Sequence, residues 1–153
     1  MFSFDQFLNN NSNSKIGAGV AIVYDNKILL VHPANASWKK ATCGIPKGRV
    51  EPGEEVLDAA IRELYEETGI FVSAEMLDPH PQEVSSEDGR VLIYYVCPIL
   101  DLQQIGLDSL RIPRDQLQKK EIDWAKFVGP EEAYPITVRS QLIILDRLLR
   151  INN

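Results

Sequence analysis

The spacing of apolar residues changes several times along the chain, and each change marks an element. Residues 17–24, Gly-Ala-Gly-Val-Ala-Ile-Val-Tyr, form a short apolar run rich in β-branched side chains and read as a strand. Asp25-Asn26 supplies a tight turn, and residues 27–31 read as the return strand of a hairpin. Residues 33–40 form a polar loop that carries Trp38. Between residues 54 and 68 the period becomes helical, because Leu57, Ala60, Ile61, Leu64 and Thr68 fall on one face. Pro52-Gly53 and acidic residues mark the start of this helix, and Gly69 marks its end. Residues 70–74 look extended, and residues 79–90 are polar with a Glu-Asp-Gly turn at 87–89. Residues 90–100 make a long apolar strand, 101–120 an irregular connection and 121–128 a further strand. A second helical period runs over residues 137–150 through Val138, Leu142, Leu145, Leu148 and Leu149. Strands interleaved with two helices predict a layered α/β domain.

Residues 9–14, Asn-Asn-Asn-Ser-Asn-Ser, separate Phe2, Phe4, Phe7 and Leu8 from everything that follows. The expected organisation is therefore a flexible N-terminal arm over residues 1–14 and one domain over 15–153. With 153 residues and 44% apolar content the chain can build a proper core. Its formal charge of −6 offers no broad basic field, which excludes a general nucleic-acid or membrane-surface binder. A small nucleotide held through metal ions stays open, since a cation neutralises both partners locally. Cys43 and Cys97 have no metal-binding spacing and imply no disulfide framework. The first residues lack a basic, apolar leader pattern and no stretch approaches 18 apolar residues, so a cytoplasmic location and no membrane partner are expected.

The helix of residues 54–68 carries the chemistry. Glu66 and Glu67 lie about −60° and +40° from Glu63 around the helix axis, so the three carboxylates fit within roughly 100° of arc. Like charges this close repel one another, and a hard divalent cation such as Mg²⁺ or Mn²⁺ would reconcile them. The plainer alternative is a solvated acidic face. Arg62 lies on neither stripe and can reach back to Glu54 or Glu55.

The segment from Gly48 to Ile70 resembles the box of the Nudix hydrolase family, Gly-x5-Glu-x7-Arg-Glu-U-x-Glu-Glu-x-Gly-U with U a large aliphatic. Gly48, Glu54, Arg62, Glu63, Leu64, Glu66, Glu67, Gly69 and Ile70 meet every defined position. The resemblance implies the Nudix fold, a mixed β-sheet sandwiched between α-helices. It also implies metal-dependent hydrolysis of a diphosphate linkage in a nucleoside diphosphate derivative. By the same resemblance Glu63, Glu66 and Glu67 are metal ligands together with the Gly48 carbonyl. Glu54 and Arg62 match a buried ion pair that orients the loop against the helix. The general base is either Glu67 or Glu121, and Glu121 is also a candidate ligand; Asp123 is a weaker one. Many members of such a family dimerise, so the resemblance admits a homodimer in which the N-terminal arm takes part.

Lys47 precedes Gly48 as a point cation suited to a phosphate. The Pro46-Lys47-Gly48 form resembles that of dinucleoside polyphosphate hydrolases, which favours these substrates over nucleotide sugars, ADP-ribose and (deoxy)nucleoside triphosphates. Subfamily markers for ADP-ribose or dinucleotide cleavage are absent at Ser85-Ser86 and at Glu87-Asp88. Trp38 and Tyr95 are candidates to stack on a base, with Tyr94 and Trp124 behind them; adjacent tyrosines on a strand face opposite ways. Cys43 stands where the family usually has tryptophan. His32 and His80, each beside a proline, suggest turn or surface roles. A catalytically silent nucleotide sensor is the rival reading; it usually shows a decayed box, and this box is complete.

Overall fold

The structure is a computed structural model that describes residues 15–86 and 88–151. The phenylalanine-bearing arm of residues 1–14 and Glu87 of the expected 87–89 turn lie outside them. Six strands form a single sheet: β1 (Ile16–Tyr24), β2 (Lys27–Pro33), β3 (Lys47–Arg49), β4 (Gln82–Ser85), β5 (Val91–Pro98) and β6 (Ile122–Val128). The order is β4-β5-β1-β2-β6, with β3 also paired to β1. β5 runs parallel to β1 over the whole length from Ile16↔Val91 to Val23↔Pro98, and the other pairs are antiparallel. The helices are α1 (Val56–Thr68), α2 (Pro130–Ile136) and α3 (Leu142–Leu148).

Asp25 and Asn26 take φ of 49° and 56°, the left-handed pair that matches the twist of a two-residue hairpin. The hairpin ladder is nonetheless short. β1 and β2 pair only at Val23↔Ile28 and Tyr24↔Lys27 and then splay apart. The gap is filled by residues 44–49. On one side β3 pairs with Gly17–Gly19; on the other Gly44 bridges Val31. This wedge sets a short segment of backbone, with Lys47 and Gly48, between two central strands.

Strand alternation divides the core into two layers. Ala18, Val20, Ile22, Leu29, Ile93 and Tyr95 face α1 with Ala60 and Leu64. Ala21, Ile28, Leu30, Ile45, Leu92 and Tyr94 face the other way, against α2 and α3 with Ile144 and Leu145. Sheet and flanking helices make the expected α/β sandwich.

Several element bounds differ from the sequence expectation. α1 begins at Val56, with Glu55 in an extended conformation before it. Residues 137–150 are not one helix: α2 ends at Ile136, Arg139–Gln141 is a 3₁₀ turn, and α3 follows. Thr137 is extended because it pairs with Cys43, and Val138 N donates to the Cys43 carbonyl at 2.8 Å. β3 and β4 are too short and polar to show a period. Residues 70–73 join no ladder. Among the described residues, no helix is long and apolar enough to cross a membrane.

Candidate active site

α1 presents its carboxylates along a gradient of burial. Its buried residues are Val56, Ala59, Ala60, Leu64, Glu67 and Thr68, so the core stripe is rotated from the one expected and Leu57 and Ile61 flank it. Glu67 therefore belongs to the buried face, with 8% exposure, while the Glu66 side chain keeps 47%. Glu63 lies between them at 14%. The reason is β3, which packs over this edge of the helix. Lys47 N donates to Glu67 Oε1 at 3.0 Å. A Cβ on Gly48 would lie 2.0 Å from Glu63 Cδ, so only glycine leaves room for that carboxylate against the backbone.

Arg62 ties the arrangement together. Its Nε and Nη2 donate to Glu54 at 2.8 and 2.9 Å, a two-point pair, and Nη2 also reaches the Arg49 carbonyl at 3.1 Å. Nη1 donates to Glu63 Oε1 at 2.9 Å and to Glu66 Oε2 at 3.1 Å. The hydrogen bond from Arg62 holds the Glu54 carboxyl below its ordinary value. The same carboxylate raises the Arg62 guanidinium. Burial pushes Glu63 up in spite of Arg62. Burial, with the charges of Glu63 and Glu121 adding to it, pushes Glu67 up to about 8 against the bond from Lys47 N. Glu67 has no ion-pair partner among the described residues.

Glu67 opens onto a cavity of about 640 Å³, whose lining includes Lys47, Gly48 and Glu121. Glu121 is brought there by a loop anchored on the end of α1: Gln118 N donates to the Glu67 carbonyl at 3.1 Å, and Glu121 N donates to the Gln118 carbonyl at 2.9 Å. Against the acids Glu67, Asp88 and Glu121, the lining also brings Lys15, Arg49 and Arg90 along with Lys47, with Arg90 paired to Asp88 at 3.2 Å. Lys15, Arg49 and Arg90 did not stand out in the sequence, because they come from separate segments without common spacing.

Other residues singled out from the sequence fall elsewhere. Glu63 and Glu66 do not line the cavity; the first backs Gly48 and the second is held on the outer side by Arg62. Tyr95 does not line it either, since its alternation on β5 turns it into the core beside α1. Trp38 is half exposed and stacks on His32 at 3.8 Å between ring centroids, with Trp124 meeting its edge. His32 is not a turn or surface residue. It is 1% exposed, and its Nδ1 stands 2.7 Å from Asp123 Oδ1, which accounts for Asp123. Cys43 is buried in the second core layer, where burial pushes its thiol up to about 12.

Among the described residues, no three carboxylate, histidine or cysteine side chains converge closely enough, as they stand, to hold a metal. The donor set still fits a hard cation. It consists of oxygens only, around a glycine whose missing Cβ keeps the Gly48 backbone accessible to Glu63, and it includes a buried carboxylate without a cationic partner.

A family model described as the NUDIX domain matches residues 14–146. The chain is 27% identical to Nudix hydrolase 2 of Arabidopsis thaliana over 135 residues, 84% of this chain and 44% of that protein. It is 30% identical to mRNA decapping complex subunit 2 of Schizosaccharomyces pombe over 126 residues, 80% of this chain and 15% of that one. It thus spans less than half the length of these relatives. Among solved structures, a C. elegans Ap4A hydrolase in a binary complex superposes with a TM-score of 0.60 at 23% identity, covering 86% of this chain and 92% of that one. A MutT NUDIX hydrolase from Burkholderia pseudomallei gives 0.60 at 22%, covering 88% and 97%. At these identities the likeness is one of fold.

Proposed function

The chain belongs to the Nudix family, and from that premise we propose that it hydrolyses a diphosphate linkage in a nucleoside diphosphate derivative, adding water to give a nucleoside monophosphate and a phosphorylated remainder. The observation that carries the reading is Glu67, a buried carboxylate that faces the cavity, is bonded to the β3 backbone and lacks an ion-pair partner among the described residues. Such a carboxylate, once ionised, calls for a cation. Members of the family generally need a divalent cation, and an all-oxygen donor set suits Mg²⁺ or Mn²⁺.

Glu63, Glu66 and Glu67, with the Gly48 carbonyl, are the residues that would hold the ion. When bound, such an ion polarises a phosphoryl oxygen, acidifies a water and screens the phosphate charge. The Arg62–Glu54 pair fixes the Arg49 carbonyl and the start of α1 relative to each other, and so keeps Gly48 seated on Glu63. With Glu67 given to the ion, Glu121 is the cavity carboxylate free to accept the proton of the attacking water. Lys47 neutralises a phosphate next to the one attacked. Lys15 and Arg49 add further cationic side chains to the lining, and this favours long phosphate chains. We therefore assign dinucleoside polyphosphates as the preferred substrates, ahead of nucleotide sugars, ADP-ribose and nucleoside triphosphates.

The test is a panel of these compounds incubated with purified protein, with Mg²⁺ or Mn²⁺ and with excess chelator, the products being separated by chromatography. Cleavage at a diphosphate linkage, abolished by chelator, is expected. Full turnover in chelator, or no cleavage of any member, would overturn the proposal.

A further inference from the structure

One wall of the cavity is neutral and makes no use of the metal-binding machinery. It is built where residues 42–45 lie between β2 and the segment before α3. Val31 bridges Gly44, and Cys43 bridges Thr137. Gln141, at the end of the 3₁₀ turn, is 3% exposed and lies flat against Gly44; a Cβ there would be 2.7 Å from both Nε2 and Oε1. Its orientation is fixed by chemistry. Ile45 N is a donor and stands 2.9 Å away, so the atom facing it must be Oε1. The amide nitrogen is thereby left out of the bond to Ile45, and Nε2 has no hydrogen-bond partner among the described residues although Gln141 lines the cavity.

A second donor stands on the same wall. Thr42 lines the cavity, and its Oγ1 is enclosed without a partner among the described residues. Thr42 and Gly44 are two apart in an extended segment, so the Thr42 side chain projects from the face on which Gln141 lies. The same lining includes the apolar Val31, Ile45, Ile122 and Val138. A cavity wall with one fixed amide donor and one rotatable hydroxyl suits a flat ring whose edge carries two adjacent acceptors.

Resting on the hydrolase reading above, we propose that Gln141 and Thr42 select the nucleobase of the substrate and favour guanine over adenine. Guanine presents O6 and N7 as neighbouring acceptors, whereas adenine sets an amine donor beside N7. Glutamine ordinarily reads adenine with both ends of its amide. Here one end is bonded to Ile45 N, and the donor end alone is left for the ligand.

Binding can be measured without turnover by calorimetry, using methylene-bridged guanosine and adenosine diphosphate analogues that resist hydrolysis. This keeps base selection separate from catalysis: a guanosine preference in a protein that cleaves nothing would sustain this proposal while sinking the hydrolase reading. The expected preference is about 10-fold, equivalent to ~1.4 kcal/mol. Gln141→Glu keeps an acceptor for Ile45 N and removes the donor, so it should abolish the preference. Thr42→Val should lower it about 3-fold and serves as the independent variant if Gln141→Glu does not fold. Equal or adenosine-favouring affinity in the unsubstituted protein, binding of neither analogue, or a preference that survives in both folded variants would overturn the assignment.

Discussion

The two walls of the cavity are made in different ways. The charged wall is local. Gly48 and Glu67 on the cavity, with Glu54, Arg62, Glu63 and Glu66 behind them, lie within twenty residues, and a single helix with the segment before it sets their geometry. The neutral wall is assembled from β2, residues 42–45 and the turn before α3, segments that meet only through tertiary pairing. Chemistry that needs several charges around one point leaves a spacing in the sequence; a surface that needs only shape and a few donors does not. The charged wall should therefore fail abruptly when substituted, and the neutral wall by degrees.

The largest expected effect is on the charged wall. Arg62→Ala leaves Glu54, Glu63 and Glu66 together without their shared cation, at a cost of about 3 kcal/mol in stability. Urea denaturation should show this as a lower midpoint, and an unchanged midpoint would mean that the cluster does not depend on the pair. Glu67→Gln should lower kcat by roughly 10²-fold, ~2.7 kcal/mol of transition-state stabilisation. Above pH 8 the metal-free variant should be at least as stable as the parent, because there it removes a buried charge. Loss of stability without loss of kcat would reverse the roles assigned to Glu67.

A pH series sharpens the contrast within the same wall. The Glu67 carboxyl is raised in the fold from 4.5 to about 8, so the folded protein binds the extra proton. In metal-free protein its contribution is fully present below about 4.5 and is lost as pH rises toward 8. Glu54 is lowered, and its contribution is lost in the opposite direction, as pH falls below 4.5. The increase in melting temperature on adding Mg²⁺ or Mn²⁺ should accordingly be greater at pH 8 than at pH 5.5. An increase independent of pH would show that the ion is not held by Glu67.

The smallest expected effect lies at the rim. Lys47→Ala should reduce kcat/KM for a tetraphosphate-bridged dinucleotide about 10-fold more than for ADP-ribose, ~1.4 kcal/mol, with no change in the folded structure. Equal losses on the two substrates would place Lys47 on the diphosphate they share and remove the reason to prefer long phosphate chains.

What could be read in advance follows the same division. The hairpin turn, α1 and the glutamates at their spacing were legible, because turn chemistry and helical period are written locally. The burial of Glu67 was not, since a helical wheel does not reveal that β3, three residues long, will cover one edge. β3 itself has no period to detect. The break in the second helical run hides in Thr137, whose partner Cys43 lies far back in the chain. Trp38 and Tyr95 looked suited to a base as aromatic side chains, yet one is stacked on a histidine and the other is buried by strand alternation. Gln141 gave no signal, since a lone glutamine before an apolar helix has nothing unusual about it.

The splay between β1 and β2 also bears on how the protein comes to be folded. A hairpin held by two ladder pairs is too small to persist alone in water. The partner that secures β1 along its whole length is β5, which joins Ile16 to Val91 and Val23 to Pro98 across much of the sequence. Such distant closure is slow compared with hairpin or helix formation. The segment that bears the glutamates is thus synthesised, and able to coil, before the sheet that must receive it is secured. The barrier to folding should lie in bringing β1 and β5 together, so that Ile93→Val slows refolding while Ala59→Gly chiefly speeds unfolding.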